Sequence, residues 1–138
     1  MNRNIIFRGR ELATGAWYEG YFVRNFPDAF IVKIGDYSIT GIAVDPDTVQ
    51  QMTCTIHDGR PVWEGDVFAD PAAPEQRYTV HYSLTYDGFR IRWRDDKGIH
   101  MEPMMLFLAT HPELEYVGNI IDLTDYSSNR PNRNSRNS

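Results

Sequence analysis

Residues Arg77 to Arg94, RYTVHYSLTYDGFRIRWR, carry the pattern that decides the fold. From Phe89 to Arg94 the chain alternates strictly. Phe89, Ile91 and Trp93 fall on one face of an extended strand, and Arg90, Arg92 and Arg94 fall on the other. From Arg77 to Tyr86 the same period places Tyr78, Val80 and Tyr82 together. Asp87-Gly88 between the two runs is a dipeptide favoured in two-residue hairpin turns. The segment is therefore expected to form an antiparallel hairpin.

The flanking sequence extends this pattern in both directions. Ile5 to Arg8 and Trp17 to Val23 are expected strands, joined through a turn at Thr14-Gly15. Gly20 within the second strand implies a bulge or a close backbone approach. Ala29 to Ile34 is a third apolar run, followed by a turn at Gly35-Asp36 and a strand from Tyr37 to Val44. Asp45-Pro46 suits a helix start, with Asp45 as N-cap and Pro46 in the first turn. That helix is expected to last a turn or two, to Met52. His57 to Pro61 forms a turn, Val62 to Phe68 a strand, and Asp70 to Gln76 a loop. Met101 to Ala109 fits either a short helix or a strand, and Tyr116 to Leu123 is expected to be the closing strand. The expected fold is mainly β with one or two short helices. It comprises an N-terminal hairpin region and a small barrel-like, SH3-like portion. Residues 1–126 are expected to form one domain, with sub-lobes 1–44 and 45–126 as an open alternative. Residues 127–138, rich in Ser, Asn and Arg, are expected to be a flexible tail.

Composition narrows the function classes. A chain of 138 residues with 41% hydrophobic and 13% aromatic residues can bury a real core. Its single cysteine, Cys54, cannot form an internal disulfide, which points to a reducing cytosol. No apolar run approaches the ~18 residues of a membrane span, and no secretory leader pattern is present. Net charge is −5, and Arg130, Arg133 and Arg136 lie in an acid-free tail. The body thus carries 11 basic against 19 acidic residues, or −8. That balance argues against binding long nucleic acid, which needs basic clusters that release counterions.

Catalytic patterns are sparse. His57, His81, His100 and His111 are scattered without ligand spacing, so neither a metal nor another cofactor is expected. Glu64 and Asp66 stand two apart, which in a strand would place both carboxylates on one face. A turn role is favoured over acid–base or metal chemistry there, with Gly65 supplying an unusual φ and Asp66 capping backbone amides. Cys54 has no Lys or Arg within three positions to activate it. The concentrated basic stripe is Arg90, Arg92 and Arg94. Guanidinium groups bind phosphate bidentately and aromatic rings stack on bases, so Arg90, Arg92 and Trp93 form one candidate anion site. Arg8, Trp17 and Tyr18 form a second cation-plus-aromatic set. A solvated sheet face is the bland alternative for the arginine stripe.

One further stretch, Val44 to Phe68 (VDPDTVQQMTCTIHDGRPVWEGDVF), resembles the signature of the YopX family of phage and prophage proteins. The family pattern is similar to Val-Asp-Pro-Glu-Thr-Val-Gly-Gln-x-Thr-Gly-Leu, then an Asp/Gly turn, then Tyr/Phe-Glu-Gly-Asp-Ile-Val. Asp45, Pro46, Thr48, Gln51, Glu64, Gly65 and Asp66 match it. Phe7-Arg8-Gly9, Gly15-x-Trp17 and Val117-Gly118-Asn119-Ile120 extend the likeness to both ends. Gln50 and Cys54 stand where the pattern has Gly, and Trp63 where it has Tyr or Phe. The resemblance implies a phage or prophage gene acting in the bacterial cytoplasm, a mainly β fold and self-association. The leading expectation is a non-enzymatic counter-defence protein that sequesters a nucleotide-type signal of the host. An acidic inhibitor or adaptor that blocks a host protein is the alternative, and a hydrolase using Glu64 and Asp66 is the weakest.

Overall fold

The computed structural model describes residues 5–33, 41–86 and 88–125. The fold is mainly β, as the alternation predicts. In chain order the strands are β1 Phe7–Arg10, β2 Trp17–Asn25, β3 Asp28–Lys33, β4 Ile42–Val44, β5 Gln50–His57 and β6 Arg60–Trp63. They continue as β7 Asp66–Asp70, β8 Ala73–Ser83, β9 Gly88–Asp95, β10 Gly98–Pro103 and β11 Glu115–Asn119. Two short α-helices, α1 Met104–Thr110 and α2 Ile120–Asp125, and one 3-10 turn, Pro46–Thr48, complete the described elements. The strands form a six-stranded sheet, β4-β3-β2-β1-β5-β6, and a five-stranded sheet, β10-β9-β8-β7-β11. The chain divides into two compact units, Met1–Thr55 with Pro61–Trp63 and Ile56–Arg60 with Glu64–Ser138. No helix among the described residues is long and apolar enough to cross a membrane.

In the first unit, alternation along β3 buries Ala29 and Ile31 together with Val44. Phe7, Tyr18, Phe22, Ile42 and Val49 pack around them. A fully buried Ile contributes about 1.5–3 kcal/mol. Gly20 marks a close approach between β2 and β3, because a Cβ there would lie 2.0 Å from the carbonyl oxygen of Val32. The sheet curls until Glu11 bridges Val44, with Asp45 N donating to Arg10 O at 2.8 Å. It does not close into a barrel.

The second unit packs Val67, Phe68, Val80, Ile91, Phe107, Leu108 and Leu114 into its core. The expected hairpin is β8 with β9, paired from Thr79↔Arg92 to Ser83↔Gly88. Its connection differs from the expected two-residue turn. Gly88 already pairs in β9, and Tyr86 N donates to Ser83 Oγ at 3.3 Å, so the hydroxyl sets a wider turn. Asp87 itself lies outside the described residues. The two-residue Asp-Gly turn sits instead at Asp58-Gly59, with φ of 53° and 76°, between β5 and β6.

Several further expectations are corrected. The helix expected through Met52 is one 3-10 turn, Pro46–Thr48, because Gln50 and Gln51 are drawn into β5 by pairing with Arg8 and Phe7. The strand expected from Val62 to Phe68 breaks at Glu64-Gly65, where Gly65 takes a φ of 86°. β8 begins at Ala73, inside the expected loop, where Ala73 pairs with Asp70. Met101 to Ala109 is both a strand end and a helix, divided at Pro103, which lacks the N–H needed to continue the ladder. The closing strand ends at Asn119, whose side-chain oxygen accepts from Ile121 N at 3.0 Å and starts α2. The turn at Gly35-Asp36, the beginning of the strand from Tyr37 and the tail 127–138 lie outside the described residues.

Candidate functional site

Each sequence-derived set lies within its own unit, Arg8, Trp17 and Tyr18 in the first and Arg90, Arg92 and Trp93 in the second. Register places Arg8 of β1 beside Gln50 of β5, and Arg10 beside Trp17 of β2. The Arg8 guanidinium carbon lies 4.4 Å from the Trp17 ring centroid and 4.5 Å from that of Trp63. Arg8 Nε and Nη2 donate to Gln50 Oε1 at 3.1 and 3.0 Å. Arg10 continues the stack at 5.9 Å from Trp17, while its Nε donates to Gly15 O at 2.8 Å. The outcome is an alternating ladder, Trp63–Arg8–Trp17–Arg10. Tyr18 is not part of it. As the next residue on β2 it points to the opposite face, where it packs on the core under Lys33 Nζ at 4.9 Å.

Gln50 and Trp63 were not among the sequence candidates, yet both touch Arg8. Gln50 supplies the amide of the ladder and Trp63 its second ring, and both reach Arg8 through long-range contacts that local pattern does not show.

In the second unit, β9 holds Arg90 and Arg92 on one face. His81 and Pro103 flank Arg90, and Thr79 and Met101 flank Arg92. The Arg90 guanidinium carbon lies 4.5 Å from the ring centroid of Tyr86, which is exposed. His81 Nε2 meets Met101 Sδ at 3.1 Å. Burial holds the His81 pKa below its ordinary value, and Arg92 lowers it further against the opposing influence of Glu64. Strand alternation keeps Trp93 away from Arg90 and Arg92. Its ring packs instead with Phe107 at 5.0 Å, His100 at 5.1 Å and Tyr78 at 5.4 Å. Burial there raises the pKa of Tyr78, aided by Asp70, Glu113 and Asp95. His81 and Tyr86 were missed as site residues, although the alternation that put Tyr78, Val80 and Tyr82 together already placed His81 opposite them.

The central segment serves the backbone. Asp45 Oδ1 accepts from Asp47 N at 3.0 Å. Thr48 is buried, donates to Asp45 O at 2.7 Å and accepts from Arg10 N at 2.9 Å. Pro46 opens the 3-10 turn, and Gln51 pairs opposite Phe7. Glu64 and Asp66 do not share a strand face, because β6 ends at Trp63 and β7 starts at Asp66. Asp66 is 1% exposed and accepts from Asn119 Nδ2 at 2.9 Å. The same amide donates to Glu64 O at 3.1 Å. Gly65 N donates to Val80 O, and Gly65 O accepts from Ile120 N, both at 2.8 Å. Cys54 is exposed and holds a φ of 66°. Among the described residues, no group of three or more His, Cys, Asp or Glu side chains is arranged to hold a metal ion. No family model, curated protein or solved structure matches the chain.

Proposed function

We propose that the protein is a non-enzymatic binding protein that holds a small phosphate-bearing ligand of nucleotide type against the Arg90–Arg92 face of β9. One observation carries this. Two guanidinium-bearing residues two positions apart share a face, with His81 beside them and the exposed ring of Tyr86 at Arg90. Such residues lie roughly 7 Å apart along a strand, a spacing that suits successive phosphate oxygens. The Tyr86 ring offers a surface on which a base can stack. The YopX resemblance supplies a setting, a phage protein that sequesters a nucleotide signal of the host's defence in the bacterial cytoplasm.

The test is a thermal-shift screen against cyclic dinucleotides, cyclic trinucleotides and ADP-ribose isomers. A ligand at a hundredfold excess over its dissociation constant adds about 2.7 kcal/mol of stability. The expected result is a ligand-specific shift that R90A/R92A abolishes, with the ligand recovered chemically unchanged. No shift with any nucleotide, or a shift that survives R90A/R92A, overturns the proposal.

A further inference from the structure

β9 carries a third arginine in line with Arg90 and Arg92. Arg94 follows on the same face, opposite Ile99 of β10. Continuing the Thr79↔Arg92 register by two residues sets Arg77 of β8 opposite Arg94. Gln76 Nε2 donates to Arg94 O at 2.9 Å, which ties the two strands together at that level. Arg77, Arg90, Arg92 and Arg94 thus share one face of two neighbouring strands. Arg77, Arg92 and Arg94 are exposed and Arg90 is half-buried. Among the described residues, none of the four forms an ion pair. Like charges set directly opposite each other destabilise a strand pair. A bound polyanion would relieve that repulsion at Arg77 and Arg94.

We infer, building on the Arg90–Arg92 phosphate site, that this face holds a short linear oligonucleotide. Three consecutive phosphates lie on Arg90, on Arg92 and on the Arg94–Arg77 pair. The three rungs on β9 step at roughly 7 Å, so the row runs about 14 Å in a straight line. An extended nucleic-acid strand presents its phosphates in such a line, whereas the phosphates of a cyclic dinucleotide do not continue along it. Ile99 and Met101 of β10 flank Arg94 and Arg92 and are 49% and 38% exposed, which gives the bases an apolar surface beside the phosphates. The exposed Tyr86 ring lies at the Arg90 end. At the other end the row stops, because β9 finishes at Asp95. A strand this short also avoids the acidic body, whose charge of −8 disfavours long nucleic acid.

Calorimetric titration of the full chain with 5′-phosphorylated oligothymidylates carrying two, three and four phosphates tests the inference. The third phosphate is expected to tighten binding about tenfold, and the fourth to add little. Affinity for the three-phosphate strand should fall with salt at a log–log slope of about −2, or roughly −0.7 per phosphate. R77A/R94A, which alters two exposed side chains, is expected to remove the gain, so that the two- and three-phosphate strands bind alike. A third phosphate that adds nothing, or a gain that survives R77A/R94A, overturns the inference. An aspartate pentapeptide that binds as tightly as the three-phosphate strand also overturns it, since the row would then read charge alone. The Arg90–Arg92 site is judged separately. It stands if R90A/R92A weakens the two-phosphate strand, and it falls, taking the inference with it, if that variant binds the strand unchanged.

Discussion

Replacing Cys54 by glycine is expected to stabilise the fold. Cys54 sits within β5 at a φ of 66°, a left-handed conformation for a residue with a Cβ. That conformation costs an L-residue about 1–2 kcal/mol. Glycine removes the clash but adds roughly 0.5–1 kcal/mol of backbone entropy to be lost on folding. The side chain is exposed, so little packing is forfeited. The difference leaves about 0.5–1 kcal/mol in favour of C54G, or a rise in Tm of roughly 2–4 °C for a chain of this size. Urea unfolding at equilibrium measures it, with the gain visible as a higher midpoint at unchanged slope. C54A is the control, because it removes the thiol and keeps the Cβ. Equal stability of C54A and C54G would refute the backbone explanation.

Asn119→Ala should cost about 3 kcal/mol in the same assay. It deprives the buried Asp66 carboxylate and the Glu64 carbonyl of a donor and Ile121 N of an acceptor. Gly20→Ala should lower stability by more than about 3 kcal/mol, because backbone meets the new methyl at 2.0 Å and β2 and β3 would have to separate. For His81 the lowered pKa means that the unfolded chain binds more protons than the folded one between that value and the ordinary 6.5. Stability should therefore fall as pH drops below 6.5 toward the lowered value. R92A should raise the His81 pKa in an NMR titration, and an unmoved titration would contradict the electrostatic influence of Arg92.

Period-2 alternation made the β8–β9 hairpin legible, since one face is buried and the other carries arginines. Turn chemistry was less decisive. Two Asp-Gly pairs occur, and the one at Asp58 makes the tight turn, whereas Ser83 widens the other hairpin. Element ends were hidden where tertiary bonds set them, as at Gly65 and Asn119. The β1–β5 register that brings Arg8 to Gln50 is a contact between residues 42 apart, so local pattern could not reveal the ladder. The same alternation that located Arg90 and Arg92 also separates Trp93 from them.

Sheet order also has a consequence for the chain as it is made. Every strand of the six-stranded sheet lies before residue 64, so that sheet can be completed early in synthesis. The five-stranded sheet cannot. Its strand β7, emerging at Asp66–Asp70, awaits β11 at Glu115–Asn119 as a neighbour. Until the ribosome has delivered Asn119, one side of Val67-Phe68-Ala69 stays unpaired, an apolar edge of the kind that aggregates in nascent chains. Translation slowed between these two strands would prolong that exposure, while a pause before residue 64 would not.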